Sequence, residues 1–547
     1  MHKLKKRLFI LILLILPLLL ESNTSWSNSE IFVQIDQQLL DHDTHLKRNQ
    51  TMLQHLYEQR QHRPLWLSEK GIKTKRVIEL LAEIERDPTL NPRGYIQKKS
   101  KILRKNMEHR HNEKEIVQLE LQLTSLYYDF LQHTIYGEID WENFQAYLEN
   151  LKINNLDTSW VTAPLQFDLI HIISQENIST TIRDLLPQGY QYKKLVKALY
   201  GLYKVKWRGG WGILPSFKSL KKGQSSSIVP KLRQRLSLSG DYRGCSKITS
   251  ANLFDGCLEQ AVKRFQKRHQ LTVDGKVGRG TQRILNISVN SKINRVLLNI
   301  DRIKWLPRYT NKRHIIVNIP EYMLHYYEYG QEVKRHRVIV GDTKHPTPIF
   351  NDELSYITLN PYWKLPSGII RKEVVPNMIK NPNYLKEHGI EAHETWEENS
   401  SIVSLKELNW NDYLNPENKF PYRLMQPPGP KNALGRIKFK FPNKFSVYLH
   451  DTPTRKLFKK NRRAFSHGCI RLSKPFSFLK TIAQEEPNMN WNRVQSILDT
   501  QKKEEIDISN DIPISLVYLT TWVNSNNELV FGDDIYKYDQ YQRRIIR

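Results

Sequence analysis

Hydrophobic and polar positions follow two rhythms along this chain. The first two hundred residues repeat at helical spacing. Lys75 to Arg86 sets Val77, Ile78, Leu80, Leu81 and Ile84 on one side with charges between them, the pattern of an amphipathic helix. Similar runs cover Glu113 to Phe130 and Tyr192 to Tyr203, and Tyr57 to Trp66 groups aromatics around a proline. This predicts a helical scaffold over 28–205 without catalytic machinery. After Asn294 the rhythm shortens. Ile315 to Ile319, His336 to Val340, Ile357 to Leu359 and Phe445 to Leu449 are branched and aromatic runs bounded by turn residues, and they read as strands. Tyr518 to Tyr536 resumes that character, with Asn526 as a turn residue. Residues 366–425 interrupt it with a more helical, acid-containing stretch, read as an insertion covering a site. The fold class expected is multidomain α+β, ending in a β-rich, sandwich-like domain over 291–547.

Between these parts, Trp207-Arg208-Gly209-Gly210-Trp211 and residues 221–227 (KKGQSSS) read as a linker. A compact unit follows within 206–290. It has helix-like runs at Val229 to Leu236 and Leu258 to Gln266, an Asp274-Gly275 turn, and a last helix led by Thr281. Leu258, Ala261 and Phe265 recur at helical offsets and form its core face.

The N-terminus changes the compartment. Lys3, Lys5, Lys6 and Arg7 precede an apolar run from Leu8 to Leu20. At thirteen residues the run is short against the ~20 needed to span a bilayer, so 1–27 reads as a signal peptide, with an uncleaved anchor as the alternative. The chain is then exported, to the periplasm or cell envelope. In an oxidising compartment two of the three cysteines can pair, and Cys245 and Cys257 share one loop-rich stretch, which leaves Cys469 free.

The net charge of +28 calls for an acidic partner. No zinc-finger spacing, RNP motif or basic heptad helix supports nucleic acid. The charge is concentrated: residues 431–480 hold fourteen Lys or Arg and one acid, Asp451. Cys469 lies inside that segment, in Ser466-His467-Gly468-Cys469-Ile470-Arg471-Leu472, nineteen residues after His450. A thiol acts as thiolate, which nearby positive charge favours. His450 is the candidate base, and His467 a weaker one. Asp451 follows His450 directly, so its backbone carbonyl orients the imidazole more credibly than its side chain. Gly468 permits an unusual backbone angle that turns amides toward an oxyanion. Arg471 shares strand parity with Cys469 and fits the thiolate or a substrate carboxylate. A structural Cys–His pair, or a zinc site from His450, His467 and Cys469, remains open on residue chemistry alone; the spacing matches no common zinc pattern.

With the LHDTP…SHGCIRL arrangement, the chain resembles the YkuD-type L,D-transpeptidases. Asp301-Arg302-Ile303-Lys304-Trp305, Val340-Gly341 with Thr347-Pro348, Asn360-Pro361-Tyr362-Trp363 and Asn432-Ala433-Leu434-Gly435-Arg436 resemble the larger YcbB-like branch. The 206–290 unit resembles the type 1 peptidoglycan-binding domains. The resemblance implies attack by Cys469 on a peptidoglycan stem tetrapeptide, loss of D-Ala, and transfer of the thioester to the diamino-acid amine of a second stem, a 3-3 cross-link. His450 maps onto the base, the Asp451 carbonyl onto its orienter, amides near His467, Gly468 and Cys469 onto the oxyanion hole, and Arg471 onto the family arginine. Tyr448, Asn360, Tyr362 and Trp363 are expected at the substrate, and 366–425 maps onto a lid. No cofactor or metal is called for, carbapenem acylation of Cys469 is expected, and other cell-wall enzymes are possible partners. An L,D-carboxypeptidase and a non-catalytic wall-binding scaffold are the alternatives. A sortase shares the His, Cys, Arg order, but the short Cys-x-Arg spacing favours the transpeptidase.

Overall fold

A 24-residue helix, Glu113–Tyr136, organises the N-terminal part. Asn112 starts it by a reciprocal cap: its side chain accepts from the Glu115 amide at 3.0 Å, and the Glu115 carboxylate accepts from the Asn112 amide at 2.9 Å. Gly137 ends it at φ +70°, against Asp301. In this computed structural model the described residues are 28–40, 46–68, 71–107, 112–153, 158–163, 165–245, 250–308, 313–542 and 544. The expected signal peptide, 1–27, lies outside them. No helix among the described residues is long and apolar enough to cross a membrane.

The long helix packs its apolar stripe against Asn28–Leu40, Gln50–Gln59, Thr74–Arg86 and Tyr95–Asn106. The aromatic stretch around Pro64 has a structural purpose. Buried Glu120 accepts from the Tyr57 hydroxyl at 2.6 Å and from the amides of Leu65 and Trp66 at 2.6 and 2.9 Å. The Trp66 indole donates to Thr124 at 2.9 Å. A carboxylate so placed satisfies backbone donors that burial would otherwise leave unpaired.

Tyr192–Trp207, periodic like the scaffold helices, packs elsewhere. It lies on Val289–Lys304 and shares a core with Ile316 and Val517 of the β-rich part. The expected linker is also anchored at one end. Trp211 is buried, its indole donates to the Ile287 carbonyl at 2.8 Å, and the Arg235 guanidinium sits 3.9 Å above its ring. A Gly-Gly pair marks a turn here, but the neighbouring tryptophan decides how firmly the segment is held.

The small unit has helices Val229–Leu238, Gly256–Arg268 and Arg279–Leu285 around Leu232, Leu236, Leu258, Ala261, Phe265 and Leu285. Gly275, at φ +72°, turns the chain so that its amide donates to Gln266 at 2.9 Å. Cys245 and Cys257 are disulfide-bonded, and Cys469 is free.

The β-rich part is built on one nine-stranded sheet rather than two facing sheets. Its order is Ala464–Ser466, Gln331–Gly341, Ile470–Leu472, Leu449–His450, Ile437–Lys440, Phe350–Leu359, Glu504–Val517, Arg313–Asn318 and Met323–Glu328. The eleven-residue strand Gln331–Gly341 pairs with Met323–Glu328 along one half and with Ile470–Leu472 along the other, so the pairings close on themselves. Phe478, on the helix Pro475–Ala483, is fully buried among the rings of Tyr326, His336 and Phe439. Of the expected strand Phe445 to Leu449, only Leu449 pairs; the strand is Leu449–His450. The Asn443 side chain captures the preceding residues, accepting from the amides of Phe445 and Val447 and donating to the carbonyls of Phe441 and Val447, which closes a turn instead.

The stretch 366–425 has a small core of its own, around Leu365, Ile370, Val374, Val375 and Leu424. It is partly β: Trp363–Lys364, Arg423–Gln426 and Glu391–His393 form a three-stranded sheet.

Two outcomes are expected. Thiol titration of native protein gives one reactive group per chain and three after reduction under denaturant; three before reduction would remove the Cys245–Cys257 bond. Phe478→Ala, which empties a ring-lined site, lowers stability by about 3–5 kcal/mol in urea unfolding.

Candidate active site

Two very short strands bring the chemistry together. Leu449–His450 runs parallel to Ile470–Leu472, with Leu449 opposite Ile470 and His450 opposite Arg471. Cys469 stands just before the second strand. Both residues line a cavity of about 760 Å³.

His450 is buried, and its Nδ1 lies 2.5 Å from the Asp451 carbonyl. That oxygen only accepts, so Nδ1 carries the proton and Nε2 keeps its lone pair. The Asp451 carboxylate is used elsewhere. It accepts from the amides of Arg436 and Thr452 at 3.0 and 2.7 Å and pairs with Arg455. Gly435, at φ +61°, leaves room for that carboxylate; a Cβ there would meet it at 2.3 Å.

Cys469 is partly buried, and its thiol donates to the Ser446 carbonyl at 3.7 Å. Ser446 is presented by the Asn443 turn, at φ +54°. Gly468 has φ +107°, and a Cβ there would have space, so backbone conformation rather than crowding calls for glycine. Thr347 holds this turn: its hydroxyl donates to the Gly468 carbonyl at 2.7 Å and accepts from the Gly341 amide at 2.8 Å.

Charge does not set the thiol's state in the expected direction. Burial raises the Cys469 pKa, and the opposing influences of Tyr448, Lys438 and Arg471 do not offset it. Burial, with Arg471 and Lys438, pushes His450 down to about 3 despite its bond to Asp451. Desolvation thus disfavours the charged forms of both the thiol and the imidazole. Lys438 lies opposite His450 across the strand pair, its ammonium 3.9 Å over the Tyr448 ring. Burial lowers its pKa to about 8, helped by Lys440 and opposed by Cys469.

The other expected residues divide. Arg471, Tyr448, Tyr362 and Trp363 line the cavity, and Arg471 has a buried Nε without a hydrogen-bond partner. Asn360 faces inward, where its amide donates to the carbonyls of Ile497 and Lys502 at 2.8 and 3.1 Å, so its place is structural. His467 turns to Glu373 of the insertion, Nε2 to Oε1 at 2.6 Å, and its ring lies 4.5 Å from that of His345. Sequence reasoning passed over Lys438, Ser446 and Glu373, and gave Thr347 no role. For Ser446, the available signal was Pro442-Asn443, a pair of turn-forming residues.

Residues 312–487 match the YkuD family, described as "L,D-transpeptidase catalytic domain". The chain carries a YkuD L,D-transpeptidase catalytic domain. Residues 225–285 match a "Putative peptidoglycan binding domain" and 51–199 a "Scaffold domain". A Haemophilus influenzae protein described as "Putative L,D-transpeptidase" is 35% identical over 246 residues, 45% of this chain and 48% of that protein. The match therefore spans about half the length of that curated relative. Among solved structures, an L,D-transpeptidase from Xylanimonas cellulosilytica is 15% identical, covering 55% of this chain and 99% of that one with a TM-score of 0.17. One from Stackebrandtia nassauensis is 12% identical, covering 55% and 94% with a TM-score of 0.19.

In this L,D-transpeptidase domain, a raised thiol pKa makes alkylation of Cys469 by iodoacetamide accelerate with pH through and beyond the ordinary thiol range. A plateau reached below pH 8 would instead report a thiolate–imidazolium pair.

Proposed function

We propose that this chain is a cell-envelope L,D-transpeptidase that joins peptidoglycan stem peptides through a thioester on Cys469. The observation that carries the reading is a free cysteine and a buried, tautomer-locked histidine lining one cavity within a YkuD domain. In this mechanism the sulfur attacks the carbonyl of the donor's third residue, a diamino acid, while Nε2 of His450 takes the thiol proton. Amides around Gly468 receive the oxyanion. The peptide C–N bond then breaks, His450 passes its proton to the departing nitrogen, and D-Ala leaves. The amine of a second stem takes the acyl group and frees Cys469.

The low pKa of His450 fits a base that acts with substrate present. Two of the three influences holding it down are burial's partners Arg471 and Lys438. A stem carboxylate between them would offset part of their charge and raise the imidazole's basicity as the donor binds. The peptidoglycan-binding unit would hold the enzyme on its polymeric substrate, and an N-terminal export segment would deliver it there.

Mass spectrometry of residues 28–547 with tetrapeptide muropeptides tests this. The expected products are free D-Ala and a 3-3 dimer, lost in Cys469→Ala and reduced at least about 100-fold in His450→Gln. Tripeptide without dimer would assign an L,D-carboxypeptidase. No turnover and no thiol adduct would leave a wall-binding scaffold.

A further inference from the structure

His467 and Glu373 form a contact whose location is more informative than its strength. His467 belongs to the turn that carries Cys469, and Glu373 to the π-helical turn Ile370–Val374 of the insertion. Their side chains are 42% and 41% exposed. An ion pair that wet contributes little to stability, too little to fasten the insertion to the sheet. It stands at the cavity wall, with Cys469 in the same lining.

The cavity's other acids are committed to lysine. Glu398 lies 2.7 Å from the Lys503 ammonium, and Glu505 lies 3.9 Å from it. Glu373 is partnered by the His467 imidazole instead, whose pKa its hydrogen bond raises, in a contact open to water. Its Oε1 meets His467, and a carboxylate has a second oxygen to offer. Glu373, Arg471 and Cys469 line the same cavity. The rest of the nearby wall is cationic, with Lys372, Lys438, Lys440 and Arg471. Such a wall suits a donor's carboxylates and repels an incoming ammonium. Among the acids lining the cavity, Glu373 is the one paired with an imidazole of the cysteine turn rather than with lysine, and a carboxylate so placed supplies what the second substrate of an acyl transfer to an amine requires.

We infer that Glu373, held by His467, is the anchor for the ammonium group of the acceptor; this rests on the transpeptidase reading above. Once the ammonium has given up one proton to water at the open mouth, its nitrogen attacks the thioester carbon. The C–N bond forms, the C–S bond breaks, and its electron pair returns to Cys469. The nitrogen's second departing proton goes through His450 to the sulfur.

The test separates the half-reactions in the full chain. Acylation is read as D-Ala released per Cys469, and transfer as dimer formed across a range of acceptor concentrations. Glu373→Gln is expected to lower the ratio of transfer to acylation at least about tenfold, through a raised acceptor KM, and to divert thioester to hydrolysis. Glu373→Asp, which keeps the charge, is expected to recover part of the ratio. An unchanged ratio in Glu373→Gln overturns the inference, even if both half-reactions slow together, since that is what a structural role would give. Failure of the wild-type chain to acylate would instead overturn the transpeptidase reading.

Discussion

The site depends on the parallel pairing of Leu449–His450 with Ile470–Leu472. Two strands of two and three residues cannot hold themselves in register. They do so because Gln331–Gly341 flanks one side and Ile437–Lys440 the other, inside a sheet whose pairings close. That enclosure puts His450 opposite Arg471 and Lys438 and leaves Cys469 at the strand's head. The neighbouring turns are equally tied down, one by Asn443 and the other by the Thr347 hydroxyl. A precise site is thus built on strands too short to be stable alone.

Burial governs its electrostatics. A strongly basic segment suggests a thiolate, yet the cations there are outweighed by the loss of water around the sulfur and imidazole. The same desolvation brings Lys438 to about 8. Under the proposed function, the net charge serves substrate carboxylates rather than preparing the nucleophile in advance.

The surrounding parts reach the site through packing. Gly137 ends the long scaffold helix against buried Asp301, which pairs with Arg544 at 2.7 Å and Lys304 at 3.5 Å, while Lys304 donates to the His133 carbonyl. This buried network joins the helical part to the helix Val289–Lys304. Breaking one member would strand a charge away from water, so it fixes a particular arrangement. The insertion reaches the cysteine turn through the water-exposed contact of Glu373 with His467.

By itself the sequence determined the local and compositional features. Periodicity placed the helices Thr74–Arg86, Glu113–Tyr136 and Tyr192–Trp207 to within a few residues, because an amphipathic stripe is a local pattern. The glycine beside Cys469, the free cysteine and the His–Cys spacing were legible for the same reason. Tertiary structure decided which neighbours those residues meet. It sent Tyr192–Trp207 to the catalytic side, turned Asn360 inward and His467 toward Glu373, and reduced Phe445 to Leu449 to a turn and one paired residue. It also set burial against the nearby cations at Cys469, so that its pKa is raised. Partners distant in sequence and removal from water cannot be read from a local pattern, since both arise only when the sheet closes around the site.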